Sequence, residues 1–158
     1  MPIKIPLTQG KVALIDAADL PLVSRYKWCA DRHRHTFYAM TKIRRSDRTW
    51  TTLYMHRLLL NAPLSMKTDH VNGNGLDNRR ANLRPATHAE NLRNRGPQRN
   101  NTTGFKGVSF DKTRGKFQAR IMLSGREIHL GRFITPQKAH AAYCAAAAKL
   151  HGKFARGE

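Results

Sequence analysis

Between Asp69 and Arg84 the chain is written largely in turn chemistry, and this stretch limits the fold more than any other. Asn72-Gly73-Asn74-Gly75 supplies residues that tolerate positive φ, and Asp77, Asn78 and Asn82 carry side chains that bond nearby backbone. The spacing predicts a strand ending at Asp69-His70-Val71, a long polar loop, a strand-like region around Leu83, and then a helix. Thr87-His88-Ala89-Glu90 has capping-box spacing, so the helix is predicted from about Thr87 to about Arg95, with Gly96-Pro97 ending it.

The segments on either side read differently. Upstream, Val12-Ala13-Leu14-Ile15 is a short apolar strand. Thr36 to Met40 and Thr49 to Met55 are rich in β-branched and aromatic residues and form a predicted hairpin around the charged turn Ile43 to Arg48. Residues 17–27 have room for a short helix with Leu20, Val23 and Tyr26 on one side, and Met55 to Leu60 reads as a helix buried on its leucine face. Downstream, residues 96–103 read as a linker. Then come three strands, at Gly107 to Phe110, Lys116 to Met122 and Arg126 to Leu130, the last two joined through Ser124-Gly125. Thr135-Pro136 opens an alanine-rich helix that Gly152 ends. The predicted domains are residues 1–95, with the central finger at about 64–95, and residues 104–158.

Charge narrows the partner. The 158 residues hold 29 Lys plus Arg against 10 Asp plus Glu, a formal charge of +19. Residues 1–100 carry 18 basic against 7 acidic side chains, and residues 101–158 carry 11 against 3. Positive charge in both halves suits a long polyanion contacted by the whole chain better than a membrane met by one basic helix. Two cysteines, Cys29 and Cys144, exclude a thiolate-rich zinc site and a disulfide framework. With no signal-peptide core and no long apolar run, the expectation is a cytoplasmic protein, not secreted and not bound to membrane.

The turn-rich stretch also carries groups for phosphodiester chemistry. A hard cation such as Mg²⁺ takes oxygen ligands and keeps waters, and Asp69 with Asn91 is a sparse oxygen shell of that kind. His70 can be neutral near pH 7 and accept a proton from water. Its other ring nitrogen then needs an acceptor, and either Asn82 or Asn78 can supply one. Strand geometry sends the neighbours Asp69 and His70 to opposite faces, so one shared site requires a bend.

The run Asp69-His70-Val71-Asn72-Gly73-Asn74-Gly75-Leu76-Asp77-Asn78-Arg79-Arg80-Ala81-Asn82-Leu83-Arg84 through Glu90-Asn91 resembles the HNH endonuclease motif. The likeness is to the phage and intron-associated branch, with Asn in place of the last His and a His-Arg pair upstream, here His56-Arg57. The resemblance implies a ββα-metal finger. In it His70 is the general base, Asp69 and Asn91 hold a divalent cation (Mg²⁺, with Mn²⁺ as the substitute), and Asn82 holds the loop or orients His70. His56, Arg57, Arg79, Arg80 and Arg84 are candidate phosphate contacts, and His33 and His35 sit in a basic loop facing phosphate or solvent.

Lys116, Gln118 and Arg120 share one strand face, while Phe117, Ala119 and Ile121 share the other and have a partner in the alanine-rich helix. The open cationic face suits a DNA major groove, and Arg114, Arg126, His129 and Arg132 add to its charge. Gly104 to Val108, Gly115 to Ile121, His129 to Phe133, Ala139 to Tyr143 and Gly152 to Ala155 resemble an AP2 domain. That family has a three-stranded antiparallel sheet on one helix, and its sheet reads DNA. The resemblance places Lys106, Ser109, Lys116, Arg120 and His129 towards DNA. Glu127 and Met122 stand where plant members usually have Arg, Ser109 departs likewise, and the loop to Gly115 is longer, so base preference does not transfer.

Together these readings imply an α+β protein in which an HNH head is addressed by an AP2-like module. The expected activity is metal-dependent cleavage of duplex DNA, with no small-molecule substrate, by a monomer or weak dimer that nicks one strand per binding event. The alternative is a sequence-specific DNA-binding regulator whose finger is inactive or structural.

Overall fold

A computed structural model of the chain describes residues 1–33 and 36–156, so His35 lies outside the described residues. The chain divides into two compact units, Met1–Asn91 and Leu92–Glu158. It is a mixed α and β structure built from small antiparallel sheets and ending in a long helix. Among the described residues, no helix is long and apolar enough to cross a membrane.

In the first unit, β1 (Ile3–Pro6) pairs with β2 (Val12–Ile15), α1 (Leu20–Val23) follows, and β3 (Cys29–Arg32), β4 (Phe37–Arg44) and β5 (Trp50–Tyr54) form a three-stranded sheet in sequence order. The β4–β5 hairpin and α2 (Met55–Leu60) lie where sequence pattern predicts them. The flanking strands β1 and β3 have only four residues each and were not foreseen. Asn61 ends α2 in the left-handed conformation, with its N–H on the Arg57 carbonyl, and Pro63 blocks continuation. Ala13, Ile15, Val23, Trp28, Ala39, Met55, Leu59 and Leu83 form one core. The Trp28 indole N–H is satisfied by the Val23 carbonyl at 2.8 Å.

The turn-rich stretch folds as expected, between β6 (Lys67–His70) and β7 (Leu83–Ala86), followed by α3 (His88–Arg93). The capping box is formed. Glu90 accepts from the Thr87 N–H at 2.8 Å, and the Thr87 hydroxyl accepts from the Glu90 N–H at 3.2 Å. The loop does not hang in solvent. It docks on β2, with Leu14 N–H bonded to the Leu76 carbonyl and Asn78 N–H to the Leu14 carbonyl, both at 2.8 Å. Gly75 N–H donates to the Thr36 hydroxyl at 2.9 Å. Gly75 approaches so closely that an added Cβ would sit 2.5 Å from the Phe37 carbonyl oxygen and from the Tyr38 ring.

In the second unit, β8 (Val108–Asp111), β9 (Lys116–Leu123) and β10 (Arg126–Phe133) form an antiparallel sheet in the order β10-β9-β8. Ser124 and Gly125 both have positive φ, 49° and 79°, which suits the tight turn between β9 and β10. The last helix, α4 (Pro136–His151), is capped by Thr135, whose hydroxyl accepts from Lys138 N–H at 3.3 Å. Ala139, Tyr143 and Ala147, four residues apart, form its buried stripe against Val108, Ala119 and Ile121. The two small alanines let the helix lie close to the sheet.

Replacing Gly75 with Ala should lower the unfolding free energy by about 1–3 kcal/mol, because rigid backbone and an aromatic ring cannot yield to the added carbon. Chemical denaturation of the two proteins measures it. Equal midpoints would show that the loop does not pack against Phe37 and Tyr38 this closely.

Candidate functional site

His70 ends β6 with its side chain buried among rings. The Tyr38 centroid lies 5.6 Å away, and His56 meets it edge-on at 5.2 Å. Its Nε2 lies 3.5 Å from Asn78 Oδ1, a long contact. Asn78 is fully buried, and its amide nitrogen donates to the Leu76 carbonyl at 3.2 Å, so its oxygen is the atom turned to the ring. An oxygen can only accept, so where this contact is made it is His70 Nε2 that donates. Burial lowers the His70 pKa, with Asn78, Asp69 and Asp77 opposing in that order. The group is therefore neutral near pH 7, in the protonation state a general base requires.

Asn82 performs the other of the two tasks open to it. Its amide oxygen accepts from Asn72 N–H at 2.9 Å, its amide nitrogen donates to the Asp77 carbonyl at 2.7 Å, and its own carbonyl receives Val71 N–H at 2.9 Å. It closes the loop, while Asn78 faces His70. Asp77 is buried and held by a two-pronged Arg79 fork at 2.8 and 2.6 Å, and the Arg79 hydrogen bond is the main cause of its lowered pKa.

Asp69 pairs with Arg84 across the β6–β7 ladder, with Nε to Oδ2 and Nη2 to Oδ2 both at 2.7 Å. Asn91 lies in α3, with its N–H on the Thr87 carbonyl. Its side chain lines a cavity of about 380 Å³ that Thr68 also lines. Thr68 stands two residues before His70 and so on the same strand face, whereas Asp69 projects from the other. Among the described residues, no group of three or more His, Cys, Asp or Glu could hold a metal. One carboxylate and one amide oxygen are ligand types that a hard cation takes beside waters and phosphate oxygens, and the two stand on opposite sides of β6, Asp69 on Arg84 and Asn91 beside Thr68.

Three candidate phosphate contacts have other partners. Arg79 is on Asp77, Arg84 is on Asp69, and Arg80 reaches Asp19 at 2.6 Å while its N–H bonds Asp16 at 2.8 Å. Each of these guanidinium groups is shared with a carboxylate, and those of Arg79 and Arg80 stay partly exposed. Among the described residues Arg57 bonds only neutral acceptors, the carbonyls of Met66 at 3.1 Å and Pro63 at 3.4 Å. His56 lines the cavity with Tyr54 stacked on it at 5.3 Å. Sequence reasoning did not single out Tyr38, Tyr54, Lys67 or Thr68, since each reads as an ordinary strand residue until the fold gathers them.

On the second unit, cross-strand register groups Ser109, Gln118 and Arg132 in one row and Arg120 and His129 in the next, on the face that also carries Lys116. Arg120 donates to Glu127 and to Gln118, each at 2.8 Å, and Asp111 collects Arg114 at 3.5 Å and Arg132 at 3.4 Å. Arg126 and Lys106 lie apart from this row. Arg126 is registered opposite Leu123, which puts it on the helix-side face. The Lys106 ammonium is half-buried on the Arg93 carbonyl, where burial and then Arg156 push its pKa down to about 8.

The chain is 25% identical over 148 residues, 93% of its length and 74% of the relative's, to a protein of Acanthamoeba polyphaga mimivirus named as an uncharacterized HNH endonuclease. It is 33% identical over 94 residues, 60% of its length and 77% of the relative's, to Protein 3.8 of Escherichia phage T7. No family model matches it.

Burial makes the histidine wall acid-sensitive. His56 faces His70, Arg57 and His33 along with the Tyr38 and Tyr54 rings, and burial first, then the positive neighbours, push its pKa from 6.5 down to about 3. A histidine whose folded pKa is depressed contributes full stability above its unfolded pKa, and this is lost as pH falls from about 6.5 towards about 3. The melting temperature should therefore fall through that window in wild type and fall less in His56→Asn. Parallel profiles would contradict this burial of His56.

Proposed function

The chain belongs to the family of Protein 3.8 of Escherichia phage T7, and we propose that it is a metal-dependent DNA endonuclease of the HNH type, addressed to its site by the AP2-like sheet of the second unit. The observation that carries this reading is His70, kept neutral by burial and set beside the Asn78 amide oxygen. The likeness to a viral protein named as an HNH endonuclease supports it.

His70 Nδ1 takes a proton from water as that water attacks phosphorus in line, and the bond to the 3′ oxygen breaks. The products are a 5′-phosphate and a 3′-hydroxyl. Asp69 and Asn91 would hold Mg²⁺ or Mn²⁺, which when bound supplies positive charge at the reacting phosphate and the leaving oxygen. Arg84 holds the Asp69 carboxylate in place in the free protein. Asn82 fixes the loop whose Asn78 orients the base. One finger per chain gives one nick per binding event, and a duplex break needs two events or a dimer.

Ser109, Lys116, Gln118, Arg120 and His129 form the DNA face. Glu127 fixes the Arg120 guanidinium, and Asp111 does the same for Arg114 and Arg132. One observation favours a second reading, a sequence-specific DNA-binding regulator with a structural finger. Arg84 already neutralises the one carboxylate available to a cation.

Supercoiled plasmid separates the two readings. Wild type should release relaxed circles with Mg²⁺ and none with EDTA, and His70→Ala should lower the rate by about 10²–10⁴-fold while DNA binding persists. Wild-type cleavage by His70→Ala would remove His70 from the chemistry, and an intact plasmid carrying a bound target would favour the regulator. In a binding assay, Arg120→Ala should cost about 1–3 kcal/mol at one or two base pairs. A uniform loss on every sequence would make Arg120 a phosphate contact instead.

A further inference from the structure

The cavity beside Asn91 has a chemistry of its own. Two permanent cations, Arg57 and Lys67, line it, and neither pairs with a carboxylate among the described residues. The Met66 and Pro63 carbonyls hold Arg57 in place without cancelling its charge. Two further lining residues carry buried polar atoms with no hydrogen-bond partner among the described residues, His56 Nδ1 and Thr68 Oγ1. Buried polar groups are nearly always satisfied, so an unmet pair in one wall points to an absent ligand. Tyr54, stacked on His56, fixes the plane of that ring.

We propose that this cavity is a phosphate subsite, in which Arg57, Lys67, Thr68 and His56 bind the oxygens of a DNA backbone phosphate next to the one that is cleaved. The Arg57 guanidinium and the Lys67 ammonium neutralise the anion, and the buried Thr68 hydroxyl donates to it after a small side-chain shift. A neutral His56 can donate through Nδ1 once the wall opens by a small side-chain shift. The placement next to the cleaved phosphate rests on the nuclease reading, while phosphate recognition does not.

Lys67→Ala and Thr68→Val test this, since Lys67 is exposed and Val matches Thr in shape. In the first arm, inorganic phosphate and then a short DNA duplex are titrated into the full chain in EDTA and followed by amide NMR. Saturable shifts at Arg57, Lys67 and Thr68 with the duplex are expected, weakened on the order of tenfold in each variant. Shifts with inorganic phosphate alone would overturn the assignment to a DNA strand, and none with a bound duplex would overturn the subsite. In the second arm, plasmid nicking with Mg²⁺ should show KM raised on the order of tenfold with kcat unchanged in both variants. Unchanged KM beside active wild type overturns the subsite and leaves the nuclease reading standing. Duplex shifts beside inactive wild type leave phosphate recognition standing and overturn the nuclease reading together with the placement next to a cleaved phosphate.

Discussion

The loop from Val71 to Asn82 is bound to the body of the first unit, and a bound loop must find partners for its backbone away from water. Asparagine side chains meet that demand. Asn82 ties Asn72, Asp77 and Val71 together, and Leu14 on β2 brackets the far end through Leu76 and Asn78. Each unmet group would cost about 1–3 kcal/mol, so the network tolerates few other arrangements. His70 depends on it, because Asn78 can face the imidazole only while the loop is closed. The N-terminal strands acquire a purpose in the same way, as the cradle on which the loop is seated.

Electrostatics divides the chain into two kinds of cation. The overall charge is +19, yet several of the ten carboxylates sit on particular arginines: Asp19 on Arg80, Asp69 on Arg84, Asp77 on Arg79, Asp111 on Arg114 and Arg132, and Glu127 on Arg120. The finger pairs have buried carboxylates and shape the fold. The pairs on the sheet are more exposed and contribute little stability, so their effect is to orient guanidinium groups. Arg57 and Lys67 remain available for an anion.

Local signals were legible because local chemistry decides them. Thr87 with Glu90, Thr135 with Pro136, and Ser124-Gly125 each act within a few residues, and each forms the predicted cap or turn. The β6–loop–β7–α3 order was legible through the turn residues from Asn72 to Asn82 and the Thr87–Glu90 spacing. Long-range pairing was not. Nothing near Arg84 announces Asp69, fifteen residues away, and nothing near Arg80 announces Asp19. Arg126 looked like its neighbours until cross-strand register put it opposite Leu123. Lys106 read as a surface cation, and the fold turns its ammonium onto a backbone carbonyl. The role of Asn82 stayed divided between loop and histidine until the hydrogen bonds separated it from Asn78.

The buried loop holds His70 as a neutral imidazole with Nε2 towards the Asn78 oxygen. Long-range ¹H–¹⁵N correlation of the His70 ring at neutral pH, in wild type and in Asn78→Ala, tests it most directly. One dominant tautomer is expected in wild type, with Nε2 protonated, and a mixed population once the Asn78 oxygen is removed. An imidazolium, or a proton fixed on Nδ1 in the wild-type protein, would contradict it.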